Sequence, residues 1–235
     1  TAVSGDATTN AGTITGLAAN GGTDNSSMQV GIDTSTSGNK SGNATIQLST
    51  DGTVTGNAEV FGSADITVDG TVYAYADPTI NNSPLNFGNV RVGDTAEGAL
   101  SVSNSAADDG FSENLNASVD GTSGGVAASG SFTGLGPQET NDTDIVVGID
   151  TSTAGDKSGT ATIGLVSDGT GVNSLGQTAL PSQDVDVSGN VFRLAEAGAH
   201  TPEPVVLADS HVGDTAQQAL SMTNTAAADG FSESL

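Results

Sequence analysis

The chain has 235 residues, of which 34% are apolar and only 3% aromatic, so any core must be thin and built from small aliphatic side chains. It carries 28 acidic residues against 4 lysines and arginines, a formal net charge of −24, and this excludes direct binding to nucleic acid or anionic lipid, which both need basic residues. The absence of cysteine excludes disulfide bonds and thiol catalysis. No apolar run approaches the ~20 residues that span a bilayer, so no membrane insertion is expected.

Apolar and polar residues alternate along most of the chain, and no stretch keeps the spacing of a helix. From residue 84 onward the alternation predicts seven short strands separated by turns rich in Gly, Pro and Asp. In chain order they cover residues 87–92, 100–102, 111–119, 126–132, 145–149, 161–165 and 185–194. Seven strands in about 120 residues are typical of an immunoglobulin-like β-sandwich, whose core we expect to include Leu100, Val102 and Phe111.

Two blocks of the sequence recur. Residues 84–115 return as residues 204–235 with 18 of 32 positions identical, and residues 30–46 return as residues 147–163 with 14 of 17 identical. Internal repeats of this length indicate a tandem array. The predicted fold is therefore all-β, with tandem immunoglobulin-like β-sandwiches as one complete and two half units. Residues 1–78 are the back half of a repeat, residues 79–198 a complete repeat, and residues 199–235 the front half of a further repeat.

A half sandwich leaves an apolar face and strand edges uncovered, so each half predicts a partner. Two arrangements remain open. Either the repeats continue in a longer covalent array, or the front half of one copy completes the back half of the next, head to tail, by donor-strand complementation. In both cases the intersubunit or continuation strands are expected to bury apolar residues only when the partner is present; these are Val212, Leu220, Met222, Phe231 and Leu235.

The start of the complete repeat carries a recognisable motif. Residues 84–93 read PLNFGNVRVG, and an alternating strand ending at Asn104 follows. This motif resembles the opening of the ASH (Hydin-like) immunoglobulin family and, more closely, of the choice-of-anchor D repeats of bacterial surface proteins. The third unit departs from it, because Leu207 and Ala208 replace Phe-Gly, although Asn224 is kept. The resemblance implies an immunoglobulin-like fold and a structural role outside the cell or at its surface, with no catalytic residues.

Acidic residues cluster in one repeated loop. Asp108, Asp109 and Glu113 surround Gly110 and Phe111, and Asp229 and Glu233 repeat two of the three. Because Ca²⁺ binds several carboxylate and carbonyl oxygens, this loop is a possible calcium site, and a solvated acidic loop is the alternative. No other cofactor is expected. A calcium- or glycan-binding adhesin module is accordingly the second interpretation of the chain.

Residues 121–125, GTSGG, match the Gly-x-Ser-x-Gly pattern of serine hydrolases. That pattern needs a following helix and a histidine base, whereas this chain is predicted to be all-β. His200 and His211 lie in or beside the second linker and have no counterpart in the first. We therefore expect no enzyme. The leading interpretation is an extracellular repeat protein that forms a bacterial surface filament, stalk or adhesin shaft from copies of itself.

Overall fold

The computed structural model describes all residues, 1–235, and confirms the all-β prediction: it contains fifteen strands and no helix. The strands are β1 (Ala2–Gly5), β2 (Ala7–Thr9), β3 (Val30–Ile32), β4 (Gly38–Ser49), β5 (Val60–Val72), β6 (Pro78–Ile80), β7 (Leu85–Arg91), β8 (Glu97–Ala99), β9 (Val102–Asn104), β10 (Asn114–Thr122), β11 (Val126–Leu135), β12 (Thr140–Asn141), β13 (Ile145–Ile149), β14 (Gly155–Asp168) and β15 (Gln177–Phe192). No helix is present that could cross a membrane.

Residues 79–198, the middle unit, contain one long sheet and one short sheet. The long sheet has the order β7-β15-β14-β10-β11-β13-β8, and the short sheet has the order β12-β9-β6. All neighbours are antiparallel except β7 and β15, which are parallel. The long sheet curls until β13 reaches β15. An added Cβ on Gly189 would lie 2.6 Å from Ile149 Cδ1, so this close approach requires glycine.

The main core lies inside these two sheets and consists of aliphatic side chains. Its seventeen buried members are Ala76, Ala96, Leu100, Val102, Leu115, Ala117, Val126, Phe132, Ile145, Val147, Ile149, Ala161, Ile163, Leu165, Val185, Val187 and Val191. The alternation in β14 buries every second residue from Ala161 to Ser167, as expected for a strand with one face on a core. The core is therefore thin and contains one phenylalanine, in agreement with the composition.

The predicted strand at residues 100–102 and the predicted burial of Phe111 were wrong in detail. The chain leaves the long sheet after Ala99 and enters the short sheet at Val102. Asn82 stabilises this crossing, because its side chain donates to Ala99 O at 2.9 Å and accepts from Ser101 N at 3.0 Å. Phe111 precedes β10 and is only half-buried, since its ring packs on Tyr73 of the preceding unit. Leu100 and Val102 are fully buried, as predicted.

Residues 1–78, the first unit, have the structure of the rear part of the middle unit. β1, β4 and β5 form one sheet, and β2 pairs with β3. Gly5 turns the chain with φ of +63° where Gly124 does so with +61°, an offset of 119 residues. A Cβ added to Gly70 would lie 2.6 Å from Ile32 Cδ1, just as one added to Gly189 would lie 2.6 Å from Ile149 Cδ1. We call residues equivalent when these matches and the sequence repeats align them.

The first unit lacks the layer that covers the middle unit's core. Val30 is 41% exposed, whereas its equivalent Val147 is 0% exposed. Leu48 is 38% exposed, whereas its equivalent Leu165 is 2% exposed. These side chains point to a face that the front strands cover in the middle unit. The first unit therefore presents an apolar face with nothing from its own repeat against it.

Residues 199–235, the third unit, contain no strand. Residues 204–220 are exposed throughout. Isolated bridges from Asn224 to Ala197 and from Ser232 to Arg193 hold the remaining part against the middle unit. Leu220 is 53% exposed and Met222 is 62% exposed, although their equivalents Leu100 and Val102 are fully buried.

Of two more predicted strand residues, Leu235 follows the same pattern as Leu220 and Met222, whereas Val212 does not. Leu235 is exposed although its equivalent, Leu115, is buried. Val212 is exposed, and so is its equivalent Val92, so the middle unit gives no reason to expect Val212 to become buried.

The contrast between equivalent positions predicts unequal effects of one substitution. Leu100→Ala should lower the free energy of unfolding by about 2–5 kcal/mol, because it empties a buried site. Leu220→Ala should change it by about 0.5 kcal/mol or less in the dilute chain, because the side chain is already exposed. Urea unfolding followed by circular dichroism measures both. Equal losses would show that residue 220 is packed in solution.

Candidate functional site: the repeated joint

Each unit boundary is closed by the same set of contacts, which we call a joint. The first joint joins residues 73–77 to residues 104–113, and the second joins residues 192–196 to residues 224–233. Each joint contains the linker after a last strand and the acidic loop of the following unit. It is the one structural feature that occurs twice in this chain and links consecutive repeats.

The backbone hydrogen bonds of the two joints correspond one to one. In the first joint Ala74 N donates to Phe111 O at 2.8 Å, and Glu113 N donates to Ala74 O at 3.0 Å. In the second joint Arg193 N donates to Phe231 O at 2.9 Å, and Glu233 N donates to Arg193 O at 3.0 Å. Each pair forms a short parallel bridge between consecutive units. The joint therefore continues strand pairing across the boundary.

An asparagine organises each joint. Asn104 is fully buried; its Oδ1 accepts from Asp77 N at 3.0 Å, and its Nδ2 donates to Glu113 O at 3.1 Å. Asn224 makes the equivalent bonds, accepting from Glu196 N at 3.0 Å and donating to Glu233 O at 3.0 Å. One side chain thus ties the linker to the acidic loop, which limits how the two units can bend.

An aromatic pair covers each joint. Tyr73 and Phe111 have ring centroids 6.0 Å apart, and Phe192 and Phe231 have centroids 5.7 Å apart, with nearly the same tilt. Aromatic residues make up only 3% of the chain, yet an aromatic pair lies at each joint. Such pairs contribute about 0.5–1.5 kcal/mol beyond the area that they bury. Phe231, predicted to become buried with a partner, is already half-buried here.

Both arginines of the chain lie at the second joint. Arg193 Nη1 is 2.6 Å from Asp229 Oδ2, and Arg91 Nε is 2.8 Å from Glu233 Oε1. The first joint has Ala74 in place of Arg193. The second joint is therefore held by two ion pairs in addition to the shared contacts. The sequence analysis missed both arginines, although their scarcity in so acidic a chain was a usable signal.

Glu113 is a buried carboxylate in the middle unit, with 2% of its surface exposed. Its Oε2 accepts from Ser167 Oγ at 2.7 Å, and its Oε1 accepts from Asn173 Nδ2 at 2.8 Å. Ser167 Oγ in turn accepts from Ala76 N at 2.8 Å. Because a buried charge is costly unless it is hydrogen-bonded, this network holds the joint to the sheet behind it.

The acidic loop is engaged in hydrogen bonds and ion pairs within the protein. Asp109 Oδ1 accepts from Phe111 N at 2.8 Å, Asp229 Oδ1 accepts from Phe231 N at 3.0 Å, and Asp108 is exposed without a bond. No group of three or more His, Asp or Glu side chains could hold a metal ion. The structure thus does not bring Asp108, Asp109 and Glu113 together as calcium ligands, and calcium binding stays a prediction without a site.

Ser123 of the GTSGG segment lies between β10 and β11, in a turn between strands. Its hydroxyl lies 2.9 Å from Thr160 Oγ1 and accepts from Thr160 N at 3.0 Å. The histidines are elsewhere: His200 contacts Glu203, and His211 contacts Asp214. The serine and the histidines do not form one site.

Comparison with protein-family models and with curated proteins finds no match. The resemblance to the choice-of-anchor D repeats therefore rests on the motif residues of the chain itself.

The two asparagines provide a matched test of the joint. Asn104→Ala should lower the free energy of unfolding by about 1–3 kcal/mol, because it leaves buried backbone groups without partners. Asn224→Ala should cost about 0.5 kcal/mol or less, because water can replace its bonds at an exposed site. Urea unfolding measures both values. A large loss for Asn224→Ala alone would contradict this account of the joints.

The second joint should respond to acid. Arg193 and the N–H of Phe231 lower the pKa of Asp229 below its ordinary value, 3.8. Since the folded pKa is depressed, the contribution of Asp229 is complete above about pH 4 and is lost as the pH falls through the folded pKa. Arg193→Gln should raise the pKa of Asp229, and Arg91→Gln should leave it unchanged. Carboxyl NMR titration measures this, and no rise in Arg193→Gln would contradict the assignment.

Proposed function

We propose that this chain is a structural repeat protein of the cell exterior, built of immunoglobulin-like sandwiches that join head to tail into a filament, stalk or adhesin shaft. One observation carries the proposal. Five apolar residues that are exposed in the two half units are equivalent to residues that are buried in the middle unit: Val30, Leu48, Leu220, Met222 and Leu235. A surface that is complementary to another surface on the same molecule, but cannot reach it, produces open linear assembly.

The joint supports a rod rather than a flexible string. Backbone pairing, a buried asparagine and an aromatic pair connect the linker to the next unit, whereas flexible linkers are solvated chains without such contacts. A shaft that bears load needs stiff boundaries between its modules. The cell-exterior location rests on the resemblance of the motif at residues 84–93 to bacterial surface repeats.

The middle unit serves as the template for how the halves would fit. In it Ala99 of β8 is the register partner of Val146 of β13, on the outer face of the sheet. The equivalent residues are Ala219 in the third unit and Gln29 in the first. When the third unit of one copy covers the first unit of another, these two residues should lie opposite each other.

Cysteine cross-linking tests the proposal, because the chain has no cysteine of its own. Ala219→Cys combined with Gln29→Cys should give a ladder of disulfide-linked dimers, trimers and longer chains under mild oxidation. Ala99→Cys with Val146→Cys is the matched control and should give an intrachain disulfide in the monomer. If the double variant stays monomeric while the control pair oxidises, head-to-tail assembly is refuted.

Salt should accelerate this assembly. Residues 204–235 carry four acidic residues and no Lys or Arg, and residues 1–78 carry eight acidic residues and one Lys. Two negative surfaces repel each other at low ionic strength, and the Debye length falls from about 30 Å at 0.01 M to about 8 Å at 0.15 M. The cross-linking rate should therefore rise over that range, whereas the rate of the intrachain control should stay nearly constant. A rate that falls with salt would contradict this electrostatic account.

A further inference from the structure

Glu113 and Glu233 have the same backbone environment. The N–H of each donates to the carbonyl of the preceding linker at 3.0 Å, Ala74 for one and Arg193 for the other. The carbonyl of Glu113 accepts from the buried Asn104 at 3.1 Å, and the carbonyl of Glu233 accepts from the exposed Asn224 at 3.0 Å. The backbone of Glu233 is therefore already placed as it would be in a complete unit.

Their side chains differ. Glu113 is buried against Ser167 and Asn173 of its own unit. Glu233 makes no such contacts, and its carboxylate instead contacts Arg91, with 36% of the Glu233 side chain exposed. The difference in partner thus follows from whether the unit is complete.

The first unit offers a hydroxyl at the position equivalent to Ser167, and an amide at Asn57, one residue beyond the position equivalent to Asn173. Thr50 is equivalent to Ser167, and both begin the same turn, in which Gly56 N donates to Gly52 O at 2.8 Å as Asn173 N donates to Gly169 O at 2.8 Å. Thr50 and Asn57 line an open depression of about 450 Å³ that also touches Thr55. Thr50 is exposed, although Ser167 is fully buried. Because Ser167 binds Glu113, the depression beside Thr50 corresponds to the place that Glu113 occupies in the middle unit.

We propose that Glu233 exchanges Arg91 for Thr50 and Asn57 of a second copy when that copy completes its unit. This inference rests on the proposed head-to-tail assembly. The Glu233 carboxylate then accepts from the Thr50 hydroxyl and the Asn57 amide, as Glu113 accepts from Ser167 and Asn173. Glu233 is the residue that selects the register, because a buried carboxylate tolerates a one-residue slip poorly.

Two further carboxylates line the depression, and their charges affect the expected free energy of assembly. Asp51 is equivalent to Asp168, which coexists with the buried Glu113 in the middle unit. Glu59 stands where the middle unit has the exposed Thr178, so its side chain can turn to solvent. Neither side chain would prevent Glu233 from entering the depression, but the negative charge of Glu59 would repel that of Glu233. Glu59→Gln should therefore favour assembly about twofold or more.

An intermolecular double-mutant cycle tests the exchange. Full-length donor chains carry Ala219→Cys and full-length acceptor chains carry Gln29→Cys, and the equilibrium yield of the mixed disulfide in a glutathione buffer is measured. Glu233→Ala in the donor should lower the equilibrium constant about tenfold or more, and so should Thr50→Val in the acceptor. The two changes together should lower it no further than about twofold below either alone, because they remove the same contact.

Arg91→Ala in the donor is the matched control. It removes the partner that Glu233 has in the unassembled chain, so it should leave the yield of the mixed disulfide unchanged or increase it. Additive losses for Glu233→Ala and Thr50→Val, or a loss for Arg91→Ala as large as that for Glu233→Ala, would overturn the exchange while leaving head-to-tail assembly intact. No mixed disulfide between unaltered donor and acceptor chains would overturn both.

Discussion

The structure depends on one constraint: a sheet with one apolar face is stable only when a second layer covers that face. The middle unit meets this constraint within itself, because the short sheet β12-β9-β6 covers the long, curled sheet β7-β15-β14-β10-β11-β13-β8. The flanking units each contain one part only. The exposure of Val30, Leu48, Leu220 and Leu235 follows from their separation from the complementary part, since the equivalent residues are buried in the middle unit, where both parts are present.

The joints determine how a series of such units would transmit force. Each joint adds a short parallel bridge at the end of a long last strand, and an asparagine side chain locks the linker that follows. Ala76 is the one residue of the first unit in the main aliphatic core, so the boundary is crossed mainly by the polar network and the aromatic pair. Bending a joint would therefore break hydrogen bonds directly, whereas sliding between two apolar surfaces would cost less.

The acidic composition has two separate roles in this picture. Most carboxylates are solvated, or accept hydrogen bonds from the turn that follows them, as Asp33, Asp51 and Asp150 do, with pKa values lowered by those bonds. Glu113 is different, because it is buried and needs donors from a remote part of its repeat. The hydrogen bonds of such a carboxylate therefore depend on whether its unit is complete, whereas those of a solvated carboxylate do not.

The sequence by itself determined the all-β class, the repeat and its phase, because strand alternation and turn residues are local and internal identity needs no coordinates. It also identified Leu100 and Val102 as core residues. Only the tertiary structure decided that the chain changes sheets between Ala99 and Val102, and that Phe111 packs on Tyr73 of the preceding unit. It likewise placed Glu113 among buried donors instead of among metal ligands. These outcomes depend on contacts between residues distant in the chain, such as Glu113 with Ser167, and no local pattern encodes which distant partner a side chain meets.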